Sequence, residues 1–216
     1  MFDRQICNQI CFREGVSVGG YGLIKRDILS VMKKVFIVHG FQGTPDGGWR
    51  PWLVKELTKQ NISSEALAMP RADNPVCSEW VDEISKHLKI NKNNEIYLVG
   101  HSLGTTAILR YLESGEAECV YGAVLVSGPS ESNGNTKIES FLNKGFDFEN
   151  IKEKCKKFVI IHGDDDPVVS FSNAETLSRE LGGELVVVKK GGHLNGSAGW
   201  IKLPQCLDAL NGMMEK

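Results

Sequence analysis

The chain has no apolar run approaching the roughly 18 residues that a membrane-crossing helix requires, so none of its 216 residues read as a span. Its opening, MFDRQICNQICFREGVSVGG, contains no continuous apolar segment and does not read as a secretory signal. Basic excess is missing as well. The 25 lysines and arginines are balanced by 27 aspartates and glutamates, for a net charge of −2, which argues against the electrostatic footprint of a nucleic-acid binder. Cysteine is sparse and scattered, at positions 7, 11, 77, 119, 155 and 206; a disulfide-stapled scaffold would be shorter and denser. The close pair Cys7 and Cys11 lacks the second knuckle that a zinc site would bring. The cysteines are therefore read as free thiols in a reducing cytoplasm. No H-x-H or H-E-x-x-H motif occurs, and neither a metal nor another cofactor is expected.

What is present suits one soluble globular domain with a proper core: 41% apolar and 24% charged residues. Residues 1–31 stand apart. They show no period and carry four glycines within eight positions, Gly15, Gly19, Gly20 and Gly22. Met32-Lys33-Lys34 then leads directly into a strong strand. The expectation is an N-terminal extension over 1–31, disordered or loosely packed, followed by the domain proper over 32–216. The alternative is an ordinary N-terminal strand or helix that completes the sheet.

From there, short β-branched apolar runs alternate with helical stretches. Strands are expected at 34–38, 62–68, 95–99, 121–127, 157–162 and 184–188, with helices at 49–60, 76–90, 103–114, about 136–155, 172–181 and about 203–214. Continuous apolar strands separated by helices imply a mostly parallel sheet of about six strands, covered on both faces: a three-layer α/β/α sandwich. Ligands in such folds sit beyond the carboxyl ends of the strands, so the residues just after each strand carry the chemistry.

After the third strand comes Gly100-His101-Ser102-Leu103-Gly104, a G-x-S-x-G between strand and helix. That shape holds a serine on a sharp, strained turn at the positive end of a helix. The pattern alone is weak, since Gly15-Val16-Ser17-Val18-Gly19 also fits. No apolar strand precedes Ser17 and no patterned helix follows it, so Ser102 is the candidate nucleophile; its bland reading is a helix N-cap. After the fifth strand comes Gly163-Asp164-Asp165-Asp166-Pro167. Asp166 is chosen as the orienting acid, because Pro167 biases it to an extended, fixed backbone. Asp164 and Asp165 read as a solvated turn capping the next helix. After the sixth strand, Gly191-Gly192-His193-Leu194-Asn195 sets a histidine among glycines. A mobile loop of this kind suits a base that takes the serine proton and passes it to the leaving group. Backbone N–H groups of Leu103 and of Phe41, in the loop after the first strand, are the expected oxyanion donors. His39 reads as structural. Trp49 and Trp52 read as packing the following helix rather than lining a pocket wall.

These pieces together resemble a known group. VFIVHGFQGTPDGGWRPWL at 35–53, YLVGHSLGTTAILRYLE at 97–113, VLVSG at 124–128, DDDPVVSFS at 164–172 and GGHLN at 191–195 look like the small YdeN-like serine hydrolases of the α/β-hydrolase superfamily, relatives of the retinoblastoma-binding-protein-9 hydrolases. The resemblance implies an α/β-hydrolase fold with a minimal lid, a triad of Ser102, Asp166 and His193, and hydrolysis of short acyl esters. Residues 1–31 have no counterpart in it. The segment where larger relatives place a lid, about 128–157, is polar, with only Phe141, Leu142, Phe146 and Phe148 to grip a core. The expected partner is a small-molecule ester, with no nucleic acid and no membrane. The competing readings are a metal-dependent hydrolase using His39, His101, His162 and His193, a non-catalytic binding module on a hydrolase fold, and acyl transfer by the same triad.

Overall fold

A computed structural model of the protein describes residues 32–91, 94–115 and 117–215. The expected extension over 1–31, the rejected Ser17, and Cys7 and Cys11 lie outside the described residues. Six strands, β1 (Lys33–Val38), β2 (Ser63–Leu67), β3 (Glu95–His101), β4 (Gly122–Val126), β5 (Phe158–Gly163) and β6 (Glu184–Val188), form one sheet. Its order is β2-β1-β3-β4-β5-β6, and every neighbouring pair is parallel. Between them run α1 (Arg50–Lys59), α2 (Cys77–Ile90), α3 (Leu103–Glu113), α4 (Glu139–Leu142), α5 (Phe148–Lys154), α6 (Phe171–Leu181) and α7 (Pro204–Met214). The sandwich expected from the sequence is the one observed, with a fully parallel sheet.

Alternation along the strands supplies both faces. In β1, Val35 and Ile37 join one core with Trp49, Leu53, Leu57, Cys206 and Leu210, beneath α1 and α7. Phe36 and Val38 join the other, with Trp80, Ile84, Leu109 and Leu177, beneath α2, α3 and α6. Each large side chain so buried contributes roughly 1.5–3 kcal/mol. Val38 is level with Leu67 on one side and Gly100 on the other. The chain leaves β1 toward β2 and later returns to β3 on the opposite flank, so the switch point lies between β1 and β3, where such folds open their crevice.

The long helix expected at about 136–155 is two short ones, α4 and α5, and the reason is Arg110. This buried side chain lies on α3, nearly all of which is buried. Its Nε donates to the Phe141 carbonyl at 2.7 Å and its Nη1 to the Gly145 carbonyl at 3.0 Å. Its Nη2 donates to the Lys144 carbonyl, and Nη1 also meets Glu113 at 2.7 Å. A continuous helix would have used those carbonyls internally. Asp147 then restarts the chain by accepting from the Asn150 amide at 3.1 Å, an N-cap. Phe141 and Leu142 are buried in the core, and Phe146 and Phe148 pack against it. Their grip fastens this segment to the sheet, as a minimal lid requires. Of the cysteines, Cys77, Cys155 and Cys206 are free thiols, as expected for those three. No helix among the described residues is long and apolar enough to cross a membrane.

Removing Arg110 takes the donor from the buried Phe141 carbonyl and from the part-buried Lys144 and Gly145 carbonyls, while Glu113 keeps Lys144 at 2.9 Å and the Asp147 amide at 3.1 Å. Arg110→Met is expected to cost about 1–3 kcal/mol and to lower Tm by roughly 2–10 °C, read by calorimetric or circular-dichroism melts.

Candidate active site

Ser102 is the N-cap of α3, with φ 54° and ψ −122°. A non-glycine residue there is strained by roughly 1–3 kcal/mol, which the surroundings must hold in place. The flanking glycines explain how. A Cβ on Gly100 would come within 2.6 Å of Thr105 backbone atoms, and one on Gly104 within 2.3 Å of the Val38 carbonyl. The turn is pressed against its own helix and against β1, and the Ser102 amide is fixed to the Val126 carbonyl at 2.8 Å. The hydroxyl makes no capping bond, so the bland N-cap reading of this serine does not describe it.

Asp166 and His193 are brought together. The imidazole Nδ1 lies 2.8 Å from Asp166 Oδ2, with the carboxylate side chain 0% and the histidine side chain 8% exposed. Asp166 Oδ1 accepts from the amides of Val168 at 2.8 Å and Val169 at 3.0 Å. Burial alone would raise the Asp166 pKa, but the bonds from His193, Val169 and Val168 outweigh it and hold the carboxyl below its usual value. An acceptor at Nδ1 assigns the imidazole proton to that nitrogen and leaves the Nε2 lone pair free. Ser102 and His193 line one cleft of about 290 Å³, together with Gly40, Phe41, Gln42 and Arg50. No hydrogen bond joins the Ser102 hydroxyl to the imidazole among the described residues; such contacts are often long without substrate and tighten around it.

The two expected oxyanion amides are available. Gln42 N–H donates to Ala72 and Gly43 N–H to Gly40, while neither Phe41 N–H nor Leu103 N–H meets another backbone acceptor among the described residues. A Cβ on Gly40 would lie 2.9 Å from Ser102 Cβ, so the first loop passes directly over the serine.

The loop carrying His193 is not the mobile one its glycines suggested. Asp164 accepts from the Lys190 amide at 2.7 Å and Asp165 from the Gly192 amide at 2.8 Å. Trp200 Nε1 donates to the Gly191 carbonyl at 2.7 Å, His101 Nε2 bonds the His193 carbonyl at 3.0 Å, and Trp49 Nε1 donates to the Leu194 carbonyl at 2.8 Å. Asp164 and Asp165 thus anchor this loop instead of capping α6. Trp49 is a buried packing residue, as expected, but its indole also helps to set the height of the loop. Sequence reasoning missed these anchors; the three consecutive aspartates were the available signal. The other histidines are engaged separately: His39 Nε2 accepts from the Met69 amide at 3.2 Å and its Nδ1 meets the Gly40 carbonyl, while His162 Nε2 meets the Val169 carbonyl at 3.0 Å.

A serine on a strained strand-to-helix turn at the switch point of a parallel sheet, with a buried Asp–His pair beside it, defines the α/β-hydrolase architecture. The serine hydrolase family model matches residues 35–212, and the chain belongs to that family. It is 33% identical over 186 residues to YdeN of Bacillus subtilis (strain 168), covering 85% of this chain and 97% of that protein. The crystal structure of that gene product superposes with a TM-score of 0.80, covering 86% of this chain and 100% of that one. Serine hydrolase RBBP9 of Rattus norvegicus is 24% identical over 148 residues, 68% of this chain and 77% of that protein. The esterase domain of a Rhodothermus marinus protein shares the fold, with a TM-score of 0.61 at 14% identity, over 85% of this chain and 88% of that one.

Burial, followed by the neighbouring His193, depresses the His101 pKa to about 3 from 6.5, and burial lowers that of His162. In the unfolded chain these imidazoles take up protons first, so the unfolded state binds more protons as pH falls below about 6.5. Stability is therefore full above that value and is lost toward about pH 3. Melts between about pH 7 and about pH 4 are expected to show a falling Tm, with the His101 part of the decline missing in His101→Asn.

Proposed function

We propose that this serine hydrolase is an esterase acting on small carboxylic esters with short acyl groups, through a covalent acyl-enzyme. The observation that carries the reading is the buried Asp166–His193 hydrogen bond opening on the cleft that Ser102 lines. Ser102 Oγ attacks the ester carbonyl carbon as its proton passes to His193 Nε2. Asp166 keeps the imidazole in the required tautomer and stabilises the imidazolium. The oxyanion is received by the N–H groups of Phe41 and Leu103. Collapse breaks the ester C–O bond, and the alcohol leaves with the proton from His193. Water then attacks the acyl carbon, gives a proton to His193, and the acid departs as Ser102 Oγ regains its hydrogen. The small volume of the cleft, to which the segment between β4 and β5 contributes no lining residue, supports short acyl groups, and the esterase domain of similar fold is consistent with ester chemistry. The composition supports a cytoplasmic setting.

Hydrolysis of short-chain p-nitrophenyl esters tests this. Ser102→Ala is expected to abolish turnover with the fold intact. Asp166→Asn is expected to lower kcat by up to ~10⁴-fold through the wrong tautomer. An unchanged rate in either variant would overturn the assignment. Asp165→Asn keeps an acceptor for the Gly192 amide and is expected to stay within about 3-fold of wild type, whereas Asp165→Ala releases the loop and should lower kcat by about 10-fold; steady-state kinetics separates the two.

A further inference from the structure

Arg50 lines the same cleft as Ser102 and His193, yet it is only 6% exposed. It is the first residue of α1, between Trp49 and Pro51, and the steps described above give it no task. Its Nε donates to the Thr44 carbonyl at 3.0 Å, and its Nη2 would lie 2.5 Å from a Cβ on Gly47, so the absence of a side chain at Gly47 is what makes room for it. No carboxylate pairs with it among the described residues. Asp46, whose charge reaches it, is exposed, and the Thr44 hydroxyl is the main group holding its carboxylate. None of its nitrogens is among the fully buried side-chain atoms that lack a partner, so the guanidinium keeps its small exposure in the cleft that it lines, and burial is the main cause that lowers its pKa. Its positive charge is felt at His39 and at His101, beside the serine. What would satisfy it is an anion that brings two oxygens in one plane, for which the guanidinium fork is built.

We propose that Arg50 is the specificity-determining residue of this cleft and that the substrate is an ester carrying a carboxylate on its acyl or its alcohol part, bound by the Arg50 guanidinium. This rests on the esterase reading. A cleft of about 290 Å³ has room for a short dicarboxylic monoester.

Two matched pairs of esters test it. p-Nitrophenyl hemisuccinate against p-nitrophenyl butyrate places the charge on the acyl side, and para-carboxyphenyl butyrate against phenyl butyrate places it on the alcohol side. In the wild type, kcat/KM for the anionic member of one pair is expected to exceed the neutral member's by roughly 10- to 100-fold. In Arg50→Met that ratio falls to about one or below, and in Arg50→Lys, which keeps the charge but loses the fork, it is intermediate. Should Arg50→Met not fold, Arg50→Gln is read in the same way. A wild-type ratio at or below one in both pairs, or a ratio unchanged by the substitution, overturns the proposal. Calorimetric binding of succinate and of para-hydroxybenzoate to the wild type and to Arg50→Met separates this failure from that of the esterase reading. If no ester is cleaved but one of these carboxylates binds and is weakened at least about 10-fold by Arg50→Met, the anion site stands and only the esterase reading falls. If neither carboxylate binds and no ester is cleaved, both fall.

Discussion

A carboxylate shut away from water has to find its hydrogen bonds in the protein, and the Asp166 side chain, with no exposure, imposes that demand on the rim of the sheet. It is met by the amides of Val168 and Val169 and by the imidazole of His193. The demand fixes the tautomer of His193, and with it which nitrogen is free to act as a base. It also requires the loop after β6 to hold its place. That loop is tied through the Lys190 and Gly192 amides and through the carbonyls of Gly191, His193 and Leu194. A loop so fully matched positions its histidine before any ligand arrives, and pre-positioned groups contribute more to rate than groups that must be ordered during reaction.

The other half of the site follows from the sheet. Because Val38 and Gly100 are level across β1 and β3, the first loop and the serine turn leave the sheet side by side. The serine backbone accepts strain because close contacts leave it no room to relax. Those contacts also leave the Phe41 and Leu103 amides facing no competing backbone acceptor. The segment between β4 and β5, where a cap would stand, is drawn onto the core by Arg110 and its phenylalanines. The cleft is consequently small, and a single buried arginine inside it weighs heavily on what can enter.

Much of this is legible in the sequence, and the exceptions share a cause. Strand and helix positions follow from local periodicity, and Ser102, Asp166 and His193 are candidates because each comes just after a strand. Interactions between residues distant in sequence are hidden. Nothing local to Asp164 and Asp165 says that they anchor a loop about 26 residues further on, and nothing local to Gly191-Gly192 says that the loop is rigid. The break between α4 and α5 depends on an arginine at position 110 that takes carbonyls at 141 and 145. Nothing local to Arg50 marks it as buried, since arginines are seldom so; its burial follows from the first loop, whose Thr44 carbonyl takes its Nε.

The central claim is that Ser102 is an activated nucleophile. Labelling with a fluorophosphonate, followed by peptide mass spectrometry, tests it most directly. The account predicts a phosphonyl adduct on the peptide containing Ser102, formed equally in the presence of EDTA and absent in Ser102→Ala. A folded wild-type protein that takes no label, or one labelled at another residue, would contradict it.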